Sequence, residues 1–123
     1  MTIKNIMVVE DDYIIALDIK KSVRGFGYDV PVVVHSGEEA IAAVEKLKPD
    51  LILMDIMLNG KLNGLEAGQV IWQNCKVPII YITSYFDDST LKNEVKPSFN
   101  YDYLIKPFNV SDLKMKIENF LYS

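Results

Sequence analysis

The sequence predicts an α/β fold in which a parallel five-stranded sheet is covered by helices on both faces. Three observations carry that prediction. Short apolar runs recur along the chain, the stretches between them repeat their apolar residues every three or four positions, and most runs stop at a polar or charged residue. The 123 residues suit one compact domain, expected to span 1–123.

Ile6-Met7-Val8-Val9 reads as the first strand, stopping at three acids, Glu10-Asp11-Asp12. From Tyr13 onward Ile15, Ile19, Val23 and Phe26 fall on one helical face, and Gly25 and Gly27 close that helix. Residues 30–34 form the second strand, where Pro31 favours an edge position. Ser36-Gly37-Glu38-Glu39 is an N-cap with a capping-box glutamate, opening a helix that turns Ala40, Val44 and Leu47 inward and ends at Pro49. Leu51-Ile52-Leu53-Met54 is continuously apolar, as a central parallel strand should be, and ends on Asp55.

A Gly/Asn-rich loop over 59–64 precedes a helix from about Leu65 to Asn74. Pro78-Ile79-Ile80-Tyr81-Ile82 is the fourth strand and ends on Thr83-Ser84. Residues 87–96 suit a polar helix anchored by Leu91 and Val95. Tyr101–Ile105 is the fifth strand, followed by Lys106-Pro107-Phe108. Asn109 can cap a last helix that packs Leu113, Ile117 and Phe120 or Leu121 inward. With right-handed crossovers this order gives a flavodoxin-like (βα)5 three-layer sandwich with strand order 2-1-3-4-5.

Composition narrows the function. Half the residues are apolar and 24% are charged, which argues against disorder. A formal charge of -4 offers no basic surface, so direct nucleic-acid binding by this domain is not expected. No apolar stretch reaches about 18 residues and no leader cleavage pattern follows Met1, so neither membrane spanning nor secretion is expected. The single cysteine, Cys75, excludes an internal disulfide and suits a reducing, cytoplasmic setting.

Ligands of open parallel sheets gather beyond the carboxyl ends of the strands. There the sequence places Glu10 and Asp11, Asp55, Thr83 and Lys106. Asp12, directly before a helix, reads as an N-cap. Carboxylates sharing one cleft repel, by about 4 kcal/mol per pair at 4 Å and an effective dielectric of 20. A divalent cation relieves that repulsion, and an all-oxygen site that keeps several waters suits Mg²⁺. Asp55 can then act as a nucleophile toward phosphorus, while Lys106 and Thr83 serve the phosphoryl oxygens. No general base is evident.

Val9-Glu10-Asp11-Asp12, the run ending in Asp55, Ile82-Thr83-Ser84 and Tyr103-Leu104-Ile105-Lys106-Pro107-Phe108 resemble the signatures of response-regulator receiver domains, over essentially the whole chain. The resemblance implies Asp55 as phosphoacceptor, Asp11 as a direct Mg²⁺ ligand and Glu10 as an acid acting through water. It also implies the Met57 backbone carbonyl as a metal ligand, Thr83 as switch hydroxyl, Lys106 as the site lysine, Tyr103 as switch aromatic and a cis Lys106-Pro107 bond. Mn²⁺ can replace Mg²⁺ in such sites. Met57 and Tyr85 fall where the family tunes dephosphorylation, and neither can readily orient water, which implies slow hydrolysis. The implied partners are a histidine kinase or phosphotransfer protein, and an output domain or second copy on the face made by the 87–96 helix, the fifth strand and the last helix.

Some features depart from the family pattern. The loop over 59–64 is one residue longer than the commonest form and lacks its proline, and Phe99-Asn100 replaces a Gly-Ala pair after Pro97. Phe99 is either a core plug or an exposed anchor. His35 is expected to lie away from the site as a structural or solvated residue, and Trp72 and Cys75 to pack or lie on the surface of the third helix. Two rival functions are weaker. A phosphorylation-independent interaction domain needs none of the five site residues, and a turnover phosphatase would need a general acid/base and a substrate cap.

Overall fold

A computed structural model describes residues 3–84 and 100–122. Its elements are β1 (Ile6–Val9), α1 (Tyr13–Gly25), β2 (Val33–Val34), α2 (Gly37–Leu47), β3 (Leu51–Asp55), α3 (Gly64–Cys75), β4 (Ile79–Thr83), β5 (Tyr101–Ile105) and α4 (Val110–Leu121). The five strands are parallel in the order β2-β1-β3-β4-β5, the expected flavodoxin-like arrangement. The helix expected over 87–96, together with Tyr85, Pro97 and Phe99, lies outside the described residues. No helix among the described residues is long and apolar enough to cross a membrane.

Pleating divides the core in two. Met7, Val9, Ile52, Met54, Ile79 and Tyr81 face α2 and α3, whereas Ile6, Val8, Leu51, Leu53, Ile80 and Ile82 face α1 and α4. All residues of β1, β3 and β4 are buried, which is why their sequences are unbroken apolar runs. β5, at one end of the sheet, is only half-buried.

Helix starts follow their caps. Asp12 Oδ1 accepts the N–H groups of Ile14 and Ile15, so the N-cap reading of Asp12 holds. Ser36 Oγ accepts the Glu39 N–H at 3.1 Å, and the Glu39 carboxylate returns to the Ser36 hydroxyl rather than to its backbone. Asn109 Oδ1 accepts the Asp112 N–H at 3.0 Å at the start of α4.

Several boundaries shift from expectation by a residue or more, two of them for identifiable reasons. β2 is limited to Val33–Val34, because Pro31 has no N–H to offer the ladder and only an isolated Asn5–Asp29 bridge precedes it. α3 begins one residue earlier, at Gly64, because Asn63 and Glu66 form a reciprocal capping box inside what reads as loop.

α3 lies close to the sheet at Gly68, where an added Cβ would collide with the Tyr81 hydroxyl. Tyr81 is fully buried and cannot move aside freely. Gly68→Ala should therefore cost roughly 1–3 kcal/mol in urea unfolding. The same substitution should cost measurably less in a Tyr81→Phe background, where the colliding oxygen is gone. Equal costs in the two backgrounds would show that the collision is not the cause.

Candidate functional site

The apolar rows facing α1 and α4 end in charge. Ile6 and Val8 continue to Glu10, Leu51 and Leu53 to Asp55, and Leu104 to Lys106, each two residues on and so on the same side of the pleat. Backbone ladders carry the register past the strand ends, since the Glu10 N–H donates to Val34 O and the Lys106 N–H to Thr83 O. The three charged groups consequently meet at the carboxyl ends of the strands.

Lys106 Nζ lies 2.7 Å from Glu10 Oε1 and 3.2 Å from Asp55 Oδ2. Glu10 and Asp55 are 2% and 6% exposed, so both depend on this ammonium. Asp11 completes the group: Glu10, Asp11 and Asp55 each offer a carboxylate oxygen, and these lie within 4.8 Å of one another. Donors that are all oxygen, clustered this closely and negatively charged, fit a hard divalent cation. The Lys106-Pro107 bond is cis, as the family resemblance implied.

The chain after Asp55 folds back around it. The Met57 N–H donates to Asp55 Oδ1 at 2.9 Å, while the Met57 side chain is 64% exposed and takes no part. The Asn59 N–H donates to Asp11 Oδ2 at 3.3 Å and the Leu62 N–H to Glu38 Oε1 at 2.9 Å, tying this longer loop to the β1–α1 turn and to α2. Gly64 presses on the backbone: an added Cβ would collide with the Asp55 carbonyl oxygen. Only glycine allows α3 to begin there.

Thr83 is buried at the end of β4, and the strand register puts it on the same side of the sheet as Tyr81 and Tyr103. Tyr103 is half-buried against the core facing α2 and α3, with Lys116 Nζ 5.5 Å from its ring centre. Lys116 also pairs with Asp102 at 2.9 Å, joining β5 to α4.

His35 corrects the sequence reading. Its Nδ1 lies 2.8 Å from the Glu10 carbonyl oxygen and its ring lies 3.8 Å, centre to centre, from that of Tyr13. It therefore borders the acidic cluster instead of lying away from it. The signal was the strand register: pairing Val9 with Val34 makes Glu10 and His35 the next neighbours. Trp72 and Cys75 pack partly buried against the core.

Burial pushes the Glu10 carboxyl up to about 7; the Lys106 hydrogen bond opposes the rise and Asp55 adds to it. Burial alone would lower the Lys106 ammonium, but hydrogen bonds and charges from Glu10 and Asp55 outweigh it and raise its pKa. A protonated Glu10 would give Lys106 less support, so the two shifts compete. Asp55, 3.2 Å away, keeps Lys106 charged in either state, and burial sets the direction for Glu10. Between the ordinary value of 4.5 and about 7, folded Glu10 holds a proton that the unfolded chain releases. The metal-free fold therefore loses stability as pH rises through that window. Glu10→Gln should gain stability relative to the unmodified protein from about pH 5 to about pH 8 in metal-free urea titrations. Parallel stability curves would contradict the assignment.

The model of the response regulator receiver domain family matches residues 6–118. The DNA-binding response regulator MtrA of Mycobacterium tuberculosis is 33% identical over 114 residues, covering 93% of this chain and 49% of that protein. The transcriptional regulatory protein PdtaR of the same species is 30% identical over 115 residues, 94% of this chain and 55% of that protein. The chain thus spans about half the length of these curated relatives. Among solved structures, the signal receiver domain of a modulated diguanylate cyclase from Desulfovibrio desulfuricans G20 superposes with a TM-score of 0.87 at 35% identity, covering 98% of this chain and 95% of that one. The receiver domain of the sensor histidine kinase PA1611 from Pseudomonas aeruginosa PAO1 gives 0.85 at 30% identity, over 99% and 100% of the two chains, and holds a magnesium ion in its active-site cleft. The magnesium ion of that structure agrees with the acidic cluster found here, and the family model and relatives show that the chain belongs to the response regulator receiver domain family.

Proposed function

We propose that the chain works as one receiver unit over 1–123, accepting a phosphoryl group on Asp55 and changing its binding surface in response. The observation that carries this reading is the Asp55 carboxylate 3.2 Å from the Lys106 ammonium, in a cleft shared with Glu10 and Asp11. The donor would be a phosphohistidine on a histidine kinase or phosphotransfer protein. Its P–N bond breaks as an Asp55 oxygen bonds to phosphorus, and the imidazole leaves with the electron pair and takes a proton from solvent. The chain promotes this transfer itself, by placing charge around its own nucleophile.

Each residue has a part. Asp11, Asp55, Glu10 (the last through water) and the Met57 carbonyl would hold Mg²⁺, with Mn²⁺ able to substitute. When bound, the ion supplies positive charge against the carboxylates and the phosphoryl oxygens. Lys106 meets one phosphoryl oxygen and the Thr83 hydroxyl another. Thr83 and Tyr103 share a face of the sheet, which supports a switch in which movement of Thr83 toward phosphate lets Tyr103 turn inward. The face that includes β5 and α4 would then meet an output domain or a second copy, with the 56% exposed Met115 of α4 open to it. The lone free cysteine suits a cytoplasmic setting.

Intact-mass measurement after incubation with Mg²⁺ and a small phosphodonor should show one added phosphate, absent in Asp55→Asn. No addition to the unmodified protein, or addition that persists in the variant, would refute the proposal. With an exposed methionine at 57, the acyl phosphate should last minutes or longer, and Met57→Asn should shorten that lifetime. A lifetime of seconds in the unmodified protein would contradict this part of the reading.

A further inference from the structure

β2 stops at Val34, and His35 takes over where its backbone leaves the ladder. Val34 O accepts the Glu10 N–H at 3.0 Å, and His35 Nδ1 meets the Glu10 carbonyl oxygen at 2.8 Å. Two consecutive residues thus hold both main-chain groups of Glu10. A carbonyl oxygen can only accept, so Nδ1 carries the proton and, in the neutral ring, Nε2 carries none.

The Glu10 carbonyl and the Asp11 N–H belong to one rigid peptide plane. Fixing that carbonyl fixes the direction in which Asp11 leaves the chain. On the far side of the acids, the Tyr13 ring lies on the His35 ring at 3.8 Å and 39°. His35 therefore touches the chain immediately before and immediately after Asp11-Asp12. Within that span, the Asp12 N–H donates to Glu10 Oε2 at 3.2 Å.

We propose that His35 is a positioning residue for the metal-binding acids, its Nδ1–H fixing the Glu10–Asp11 peptide so that both carboxylates face the cleft. This rests on the reading of Glu10, Asp11 and Asp55 as a Mg²⁺ site. Partners behind the direct ligands of a metal commonly change affinity by about 10–100-fold when removed.

Two variants separate the hydrogen bond from the ring. His35→Phe keeps a ring against Tyr13 and loses the donor, whereas His35→Asn keeps an N–H near the position of Nδ1 and loses the ring. In calorimetric titration with Mg²⁺ alone, His35→Phe should bind about tenfold more weakly, and His35→Asn should bind much like the unmodified protein. Nitrogen NMR of the unmodified protein should show the Nδ1–H tautomer. The proposal is overturned if His35→Phe binds Mg²⁺ normally, if His35→Asn is impaired as much as His35→Phe, or if the neutral ring carries its proton on Nε2. Should His35→Phe fail to fold, the tautomer and the His35→Asn titration still decide. An unmodified protein that binds no Mg²⁺ overturns the metal-site reading together with this one, whereas normal binding in both the unmodified protein and His35→Phe overturns only the role of His35.

Discussion

Lys106 holds two buried carboxylates at once, 2.7 Å from Glu10 and 3.2 Å from Asp55. Both acids are nearly excluded from water, so each needs an opposite charge or a hydrogen-bond donor beside it. Removing one partner of such a group leaves uncompensated charge in a poorly solvated place, a far larger penalty than the loss of a surface ion pair. The sheet has to deliver these groups from three different strand ends. Glu10 and Asp55 leave adjacent strands, and Lys106 leaves the edge strand and must reach past β4. Backbone N–H groups of Asp12 and Met57 share the load, donating to the remaining oxygens of Glu10 and Asp55.

Pleating sends the charged groups of the site to one side of the sheet and Thr83 and Tyr103 to the other. One side of the sheet carries Glu10, Asp55 and Lys106 as the ends of rows that pack beneath α1 and α4. The other side carries Thr83 and Tyr103, above the core that packs on α2 and α3. A strand alternates its side chains, so adjacent residues serve opposite faces. Ile82, paired with Asp55, and Thr83, the next residue, therefore stand on opposite faces of the same strand. In the proposed switch, a pull on Thr83 from the cleft would be felt on the face that the cleft does not occupy.

Much of this is legible in the amino-acid sequence alone. Unbroken apolar runs mark β1, β3 and β4 because both of their faces are buried, and an acid or hydroxyl at the end of such a run has little purely structural reason to be there. β2 was harder to place. Its valines suggest a strand from 30, but Pro31 cannot donate to a ladder, and hydrophobicity does not report donors. Asn63 was hidden within a loop composition, although the Asn-x-x-Glu spacing of a capping box was present. A lone histidine has no periodic signature, so the contact of His35 with Glu10 follows only from strand register. Side-chain rotations such as that expected of Tyr103 are properties of two states, and one sequence does not encode their difference visibly.

The pairing Glu10–Lys106 joins residues 96 positions apart, and Asp55–Lys106 spans 51. β1 pairs directly with β3, skipping over α1, β2 and α2. Contacts of such long range form late, because the entropy of closing large loops is lost before the contacts repay it. Lys106 comes last of the three in the chain, so neither ion pair can form until β5 has joined the sheet. The charge pattern around Asp55 is therefore a property of the completed sheet and of no shorter stretch of the chain.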